Sequence, residues 1–137
     1  MTRTWFVDID GTILKHRNNA EINGTLFAGT EGTEADGEEL LPSVAEFFST
    51  IAHDHIVLTT ARLAIHKTVT EAALKRFGIP FDHIIYDLGS GPRILINDVK
   101  PADAEDNILE KELETAYAVN VKRNGGLRHL ISDDGLC

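Results

Sequence analysis

Residues 5–12 read Trp-Phe-Val-Asp-Ile-Asp-Gly-Thr, an apolar run that ends in two aspartates, a glycine and a threonine. A continuous apolar run without polar alternation is typical of a strand that is buried on both faces of a parallel sheet. Because side chains alternate along a strand, Asp8 and Asp10 point to the same side, and Gly11 allows a sharp turn after them. The segment therefore predicts a buried first strand with two carboxylates at its carboxyl end.

Further apolar runs follow at intervals that leave room for helices. They cover residues 56–58, 84–86, 94–96 and 116–121. Apolar residues recur at helical spacing over 41–51 and 65–77, and Gly78 stops the second of these helices. A shorter helix is predicted over 103–113. The alternation of strands and helices predicts an α/β fold, an open parallel sheet with helices on both faces.

Residues 15–39 interrupt this alternation with a stretch rich in Gly, Asn, Thr and Glu. The pair Asn23-Gly24 is a turn signal, so we predict a small hairpin there. Acidic residues crowd 29–39, which contains no basic residue, and we interpret that part as a solvated loop. About 25 residues are too few for a separate domain. We therefore predict a flap beside the first strand, within a single domain that spans residues 1–137.

The composition limits the classes of partner. A net charge of −9 argues against nucleic acid, because such partners select for basic faces. No apolar run approaches the roughly 20 residues that cross a bilayer, and we expect no signal peptide before the first strand. The single cysteine, Cys137, excludes an intrachain disulfide. We expect a cytoplasmic protein with neither a nucleic-acid nor a membrane partner, whereas a small phosphorylated substrate is compatible with this charge.

Three polar segments are expected at the carboxyl ends of the strands, where open parallel sheets bind their ligands. They are residues 8–12, 59–62 and 97–98. Phosphoryl transfer needs a nucleophile, a proton donor for the leaving oxygen, hydrogen-bond donors and a cation. We assign Asp8 as the nucleophile and Asp10 as the general acid.

A bound metal ion, a hydroxyl group and a side-chain cation are predicted to hold the phosphate and balance its charge. Magnesium prefers oxygen, so the carboxylates of Asp8 and Asp98, with a loop carbonyl such as that of Asp10, are the predicted Mg²⁺ ligands. The hydroxyl of Thr60 is predicted to hold a phosphate oxygen. A cation from Arg93 or Lys100 balances the charge.

These motifs resemble those of the haloacid dehalogenase-like superfamily of phosphatases. Its first motif, Asp-x-Asp-Gly-Thr after an apolar strand, is matched by residues 8–12. Its second motif, a Ser or Thr that closes the next core strand, is matched by Thr60 with Ala61 and Arg62, and Thr59 is the neighbouring option. The resemblance spans roughly residues 4–120.

The later motifs resemble the same superfamily. Asn97-Asp98 with Asp103 is similar to its closing acidic motif, and Arg93 takes the place of its basic residue. Lysine is commoner at that place, which makes Lys100 the second choice.

The resemblance implies a three-layer, Rossmann-like fold, bound Mg²⁺ and an aspartyl-phosphate intermediate. Catalytic roles are assigned to Asp8, Asp10, Thr60 and Arg93. Substrate binding is assigned to Gly11, Thr12, Thr59, Arg62 and Lys100. The segment between the first two motifs is too short for a full cap domain. The chain therefore resembles capless members, which often act on phosphosugars or on large phosphorylated partners. Some of these members complete the site with a neighbouring subunit as a homo-oligomer.

Other interpretations stay open for several residues. Thr60 also suits a helix cap, Arg62 a structural role, Asp98 a turn, and Asp103 the first turn of a helix. At the level of function, a receiver-like signalling domain also phosphorylates an aspartate on an α/β sheet. In such a domain the acidic pair lies near the first strand and the phosphorylated aspartate on the third. Here the double aspartate motif closes the first strand and the second acidic cluster comes near the fourth, which fits a receiver poorly.

Overall fold

Three parallel strands form the sheet of the computed structural model, which describes residues 2–26 and 29–131. They are β1 (Thr4–Asp8), β2 (His55–Thr59) and β3 (His83–Ile85), and they lie side by side in that order. Asp8, the last residue of β1, lies opposite Thr59, the last residue of β2, and Thr59 lies opposite Ile85 of β3. The open parallel sheet predicted from the apolar runs is confirmed for these three strands, so the carboxyl ends of β1, β2 and β3 share one edge of the sheet.

The described residues also form helices α1 (Asn19–Leu26), α2 (Val44–Thr50), α3 (Lys67–Arg76) and α4 (Arg128–Ile131), with 3₁₀ turns at Glu34–Asp36 and Ala64–His66. The helices predicted over 41–51 and 65–77 are thereby confirmed as α2 and α3, although both are shorter than predicted. Gly78 follows α3 with φ 70°, and its N–H donates to the carbonyl of Lys75 at 3.0 Å. This left-handed glycine ends the helix as the sequence predicted. Among the described helices, none has the length and apolar content that crossing a membrane requires.

The core joins β1 and β2 to α2 and α3 through one cluster of buried apolar side chains. Val44, Phe47 and Phe48 of α2 are at most 1% exposed, because helical spacing places them on one face. The Phe47 ring meets the rings of Trp5 and Phe48 edge-on, with centroids 5.5 Å apart in each pair. Burial of these rings supplies much of the hydrophobic stabilisation and fixes β1, and with it the loop that follows.

The hairpin predicted at Asn23-Gly24 is wrong, because this dipeptide lies inside α1. The helix begins with a capping box. The side-chain Oδ1 of Asn18 accepts the N–H of Glu21 at 2.9 Å, and a carboxylate oxygen of Glu21 accepts the N–H of Asn18 at 3.4 Å. This reciprocal pair satisfies two N–H groups that an uncapped helix leaves unpaired. The capping signal therefore outweighs the turn signal that follows it.

Two compact units divide the described residues, one formed by 2–26, 29–90 and 121–131 and the other by 91–120. The sheet and the core belong to the first unit. In the second unit the strands predicted over 94–96 and 116–121 and the helix predicted over 103–113 are not formed. Ile94 and Ile96 are 85% and 91% exposed, and neither belongs to a strand pair. Strand formation depends on pairing with another strand, and within the described residues the run 94–96 has no partner strand.

Residues 100–113 form a series of tight turns in place of the predicted helix. Lys100 and Leu113 close the series by exchanging two backbone hydrogen bonds, of 2.8 and 2.9 Å. Asn107 lies at the centre, where its amide nitrogen donates to the carbonyls of Pro101 at 2.9 Å and Lys111 at 2.6 Å. A buried asparagine that satisfies two carbonyls offers the backbone an alternative to helical hydrogen bonds.

Replacement of Asn18 by alanine tests the capping box. We expect Asn18→Ala to lower the free energy of unfolding by about 1 kcal/mol, the usual effect of losing such a cap. Urea unfolding followed by circular dichroism measures it. Asn19→Ala is the matched control, because the Asn19 side chain makes no hydrogen bond with residues 2–26 or 29–131. Equal losses in the two variants would contradict the capping role.

Candidate functional site

The loop after β1 holds the two aspartates on either side of a buried residue. Ile9 is fully buried, whereas Asp8 and Asp10 are half-buried, as strand alternation requires. The carbonyl of Ile9 accepts the N–H groups of Ile13 at 2.9 Å and Leu14 at 3.0 Å, which folds the loop back on itself. The two carboxylates are thus presented at the end of the strand on a rigid loop.

Hydroxyl groups lie beside this loop at the end of β2. The N–H of Ile9 donates to the carbonyl of Thr59 at 3.2 Å, which extends the pairing of β1 with β2 beyond Asp8. Thr60 is fully buried, and its Oγ1 accepts the N–H of Arg62 at 2.9 Å. A hydroxyl that accepts one hydrogen bond still has its own O–H to donate. Thr60 thus has a role in the local turn, and its contact with a phosphate oxygen stays a prediction.

Thr12 contacts the first aspartate directly. Its Oγ1 donates to Oδ2 of Asp8 at 3.3 Å. A hydrogen bond to one carboxylate oxygen orients the group and directs its charge. Thr12 therefore orients Asp8, the candidate nucleophile. Its contact with substrate stays a prediction.

Arg62 holds the second aspartate with a fork of two hydrogen bonds. Its Nε donates to Oδ2 of Asp10 at 2.9 Å and its Nη2 donates to Oδ1 at 2.8 Å. The Arg62 side chain is only 1% exposed, and Asp10 is 14% exposed. A bidentate arginine–carboxylate pair restricts both position and rotation of the carboxylate. Asp10 is therefore fixed in orientation, with a small part of its surface open.

The remaining donors of Arg62 also go to the protein. Nη1 donates to Oε2 of Glu38 at 2.6 Å and to Oγ1 of Thr70 at 3.0 Å, and Nη2 donates to Oε1 of Glu38 at 3.0 Å. A guanidinium has five N–H groups, and all five are now accounted for. The predicted contact of Arg62 with substrate therefore has no donor left to make it. Arg62 is instead a positioning residue for Asp10, in line with the structural alternative.

Glu38 is fully buried between two arginines. Its Oε1 also lies 2.8 Å from Nη1 of Arg17. Burial alone raises the pKa of Glu38, but the hydrogen bonds and charges of Arg62 and Arg17 outweigh it, so the pKa lies below its ordinary value of 4.5. Burial alone lowers the pKa of Arg62, and its bonds to Asp10 and Glu38 raise it overall. Two buried cations and two carboxylates thus balance one another.

The interpretation of 29–39 as a solvated loop is wrong for two of its acids. Asp36 is fully buried, like Glu38, and its Oδ1 lies 2.8 Å from Nη2 of Arg76 on α3. Each carboxylate is buried because an arginine from another segment meets it, and a buried charge needs such a partner. Gly37 separates the two acids and has φ 80°, and a Cβ at this position would lie 3.3 Å from Cζ of Arg17.

Helix α1 is tied to the same network. Arg17 donates to the carbonyls of Asp36 at 3.2 Å and Glu21 at 3.0 Å. Asn23 of α1 lies 2.6 Å from Nε2 of His66, which is fully buried. Burial and the nearby charge of Arg62 lower the pKa of His66, which keeps it neutral at physiological pH. The inserted segment is therefore attached to the body of the first unit by buried polar contacts.

The other predicted site residues belong to the second unit. Arg93 donates from Nη1 to the carbonyl of Gly91 at 2.6 Å, and Nζ of Lys100 lies 2.6 Å from Oδ2 of Asp106. Asn97 donates to Oγ1 of Thr115 at 2.8 Å. Asp98 and Asp103 are exposed. The convergence of Asp98 on Asp8, and the roles of Arg93 and Lys100, stay predictions.

The oxygen atoms of the loop after β1 are of the kind that Mg²⁺ binds. Magnesium usually takes one or two carboxylates and completes its octahedron with carbonyl oxygens, water and substrate phosphate. Asp8 and the carbonyl of Asp10 meet that description. Within the described parts of the chain, no three His, Cys, Asp or Glu side chains are grouped to hold a metal ion. The first unit therefore supplies only some of the oxygen ligands that a Mg²⁺ ion needs.

Sequence reasoning missed the contact between this loop and residues 122–126. Asn124 donates its N–H to the carbonyl of Gly11 at 2.8 Å, and its Oδ1 accepts the N–H of His16 at 2.8 Å. The available signal was the basic pair Lys122-Arg123, which directly follows the apolar run 116–121 as the acidic pair of β1 follows its own apolar run.

Comparison with known proteins gives no relative: a scan against protein-family models, a search of curated proteins and a search of solved structures each return no match. Function is therefore argued from the residues and contacts of this chain.

Substitution of Glu38 tests the buried charge balance. We expect Glu38→Gln to lower the free energy of unfolding at neutral pH by about 3 kcal/mol, because Arg17 and Arg62 lose a buried counter-charge. Since the pKa of Glu38 is depressed in the fold, its contribution is present above the unfolded pKa and is lost as pH falls through the folded pKa. The difference in the free energy of unfolding between the wild type and the variant should therefore become smaller below about pH 4.

Glu39→Gln is the matched control for this measurement. Glu39 is an exposed neighbour whose Oε2 lies 3.7 Å from Nζ of Lys15, and both side chains are more than half exposed. Such a surface pair contributes little, so the control should stay within about 0.5 kcal/mol of the wild type at every pH. A gap for Glu38→Gln that is equally wide at pH 7 and pH 3 would contradict the ionised, paired state of Glu38.

Proposed function

We propose that this chain is a magnesium-dependent phosphomonoester hydrolase of the haloacid dehalogenase-like type, which acts through an aspartyl-phosphate on Asp8. The observation that carries the proposal is that two neighbouring carboxylates have different hydrogen-bond partners. Asp10 is held by the Arg62 fork, whereas Asp8 lies at the strand end opposite Thr59, with Thr12 bonded to it. The two carboxylates are therefore held by different contacts, and the proposal gives them different roles.

In the first half of the reaction, a carboxylate oxygen of Asp8 attacks phosphorus and forms the acyl phosphate. The bond from phosphorus to the ester oxygen breaks, and that oxygen takes a proton from Asp10. The Thr60 hydroxyl donates to an oxygen of the transferring group. A bound magnesium ion would neutralise charge on the phosphate oxygens.

In the second half, water attacks phosphorus and gives a proton to Asp10. The bond between Asp8 and phosphorus breaks, inorganic phosphate leaves, and both side chains return to their initial states. The Arg62 fork fixes the position of the Asp10 carboxylate at the end of β1. Asp10 thus gives one proton in the first half of the reaction and recovers one in the second half.

The finer fold belongs to the same proposal. A three-layer, Rossmann-like sheet needs strands beyond the three described, and the apolar run 94–96 has the composition of one. Among the described residues β1 pairs with β2 alone, and Phe6 of β1 is 55% exposed. A further strand that ended at Asp98 would bring this carboxylate to the sheet edge that carries Asp8.

The substrate class follows from the inserted segment. Residues 15–26 and 29–39 are held by buried contacts, and the whole segment is too short for a cap domain, so we propose a small phosphorylated metabolite such as a phosphosugar. A phosphorylated macromolecule is the alternative. A homo-oligomer and a cytoplasmic location stay predictions.

Two variants separate the roles of the aspartates. Asp8→Asn should abolish the covalent intermediate with every substrate. Asp10→Asn should slow formation of the intermediate by about 10²- to 10⁴-fold with an alkyl phosphate, because its leaving oxygen needs a proton. The loss should be far smaller with nitrophenyl phosphate, whose leaving group needs none. Rapid-quench measurement of intermediate formation and of phosphate release, with Mg²⁺ present, tests both expectations.

Equal losses for both variants on both substrates would contradict this division of labour. A single labelling of Asp8 without repeated phosphate release would favour the receiver-like alternative. No phosphate release by the wild type from a panel of phosphorylated metabolites would exclude the hydrolase.

The role of Asp98 has a separate test. Asp98→Asn should raise the Mg²⁺ concentration at half-maximal activity by tenfold or more, in the range typical of a lost metal ligand or its support. Glu105→Gln, an exposed acid of the same unit, is the control and should leave the midpoint unchanged. A Mg²⁺ titration with the same midpoint in Asp98→Asn as in the wild type would remove Asp98 from the metal site.

A further inference from the structure

A tight turn between Lys122 and Gly125 lies against the loop after β1. The N–H of Gly125 donates to the carbonyl of Lys122 at 3.0 Å, and Asn124 has φ 62°, a left-handed conformation that asparagine adopts more readily than most residues. The turn is fixed to the loop on both sides, because Asn124 bonds to the backbone of Gly11 and of His16, each at 2.8 Å. Its remaining residue, Arg123, is therefore held at a defined place.

Arg123 lies directly over Gly11. Gly11 has φ 88°, and a Cβ at this position would lie 3.1 Å from Cγ and 3.9 Å from Cα of Arg123. Any larger residue at position 11 would thus be strained and would press on the stem of the arginine. Because Gly11 directly follows Asp10, the Arg123 side chain begins next to the general acid.

The guanidinium of Arg123 is available for a ligand. Arg123 is exposed, and within residues 2–26 and 29–131 its side chain has no hydrogen bond or ion pair. Two other candidate cations differ: Arg62 uses all five donors on the protein, and Lys100 is paired with Asp106. In a chain of net charge −9, a cation beside Asp8 and Asp10 attracts an anionic substrate to them.

We propose that Arg123 binds an anionic group in the alcohol portion of the substrate, so that the preferred substrates are phosphate esters of hydroxy acids, sugar acids included. The inference rests on the proposed function, because the role of Asp10 as general acid places the leaving oxygen beside this loop. The alcohol portion then extends toward Gly11 and Arg123. A guanidinium matches a carboxylate through two parallel hydrogen bonds, which makes Arg123 a specificity-determining residue.

Two non-hydrolysable ligands isolate this contact. Phosphonoacetate carries a phosphonate and a carboxylate, and ethylphosphonate carries the phosphonate alone. Their affinities are measured by isothermal titration calorimetry with excess Mg²⁺. The wild type should bind phosphonoacetate about tenfold more tightly, the effect of one partly exposed charged hydrogen bond. Arg123→Gln should remove this difference, and Arg123→Lys should retain part of it, because lysine keeps the charge and loses the fork.

Lys122→Gln is the matched control, since it removes the same charge from the adjacent residue. This variant should leave the tenfold difference in affinity intact, because the difference comes from direct contact with Arg123. Long-range attraction alone would weaken equally when either positive charge is removed. Equal binding of the two ligands by the wild type, binding of neither, or equal losses in Lys122→Gln and Arg123→Gln would each overturn the inference.

Turnover of nitrophenyl phosphate by the same samples separates this inference from the proposed function. Selective binding that depends on Arg123, without phosphate release, supports the anion site and contradicts the hydrolase. Phosphate release with a preference that survives Arg123→Gln contradicts the anion site alone.

Discussion

The Arg62 guanidinium lies buried between Asp10 and Glu38, and its hydrogen bonds to them determine how the first unit is organised. Asp10 comes from the loop after β1, Glu38 from the segment before α2, and Arg62 from the loop after β2. One planar group with five donors therefore joins three stretches of chain that are 24 to 52 residues apart. Arg17 adds the second cation that neutralises the pair of carboxylates.

Buried ion pairs of this kind contribute more to geometry than to net stability. The cost of removing charges from water offsets much of their attraction, whereas removal of one partner leaves an uncompensated charge and is strongly destabilising. The cluster therefore acts mainly to fix positions: Asp10 is oriented at the end of β1, and the inserted segment is held in place. The same buried contacts hold residues 15–26 and 29–39 in the first unit, although this segment is rich in polar residues.

Much of the sheet and its helices could be predicted because the responsible patterns are local. The run at 5–12, the helical spacing that ends at Gly78 and the apolar face of α2 each specify their element within a few residues. Asn23-Gly24 misled because the capping pair Asn18 and Glu21 acts over an equally short range and prevails.

The site was less predictable, because its contacts join distant segments. The motif 8–12 and Thr60 could be singled out by composition, but nothing near Arg62 indicates that Glu38, 24 residues earlier, would take its remaining donors. Arg123 lies 112 positions after Gly11, the glycine that it covers. The strands expected at 94–96 and 116–121 depend on pairing with another strand, which an apolar run alone does not specify.

The central claim is that Asp8 carries a transient acyl phosphate, and chemical trapping tests it most directly. The wild type is mixed with nitrophenyl phosphate and Mg²⁺, quenched during turnover and reduced with borohydride, which converts an aspartyl phosphate to homoserine. Peptide mass spectrometry then identifies the modified residue. The account predicts modification at Asp8 that appears only while substrate is being consumed. Sustained phosphate release without modification of Asp8, or modification at another carboxylate, would contradict it.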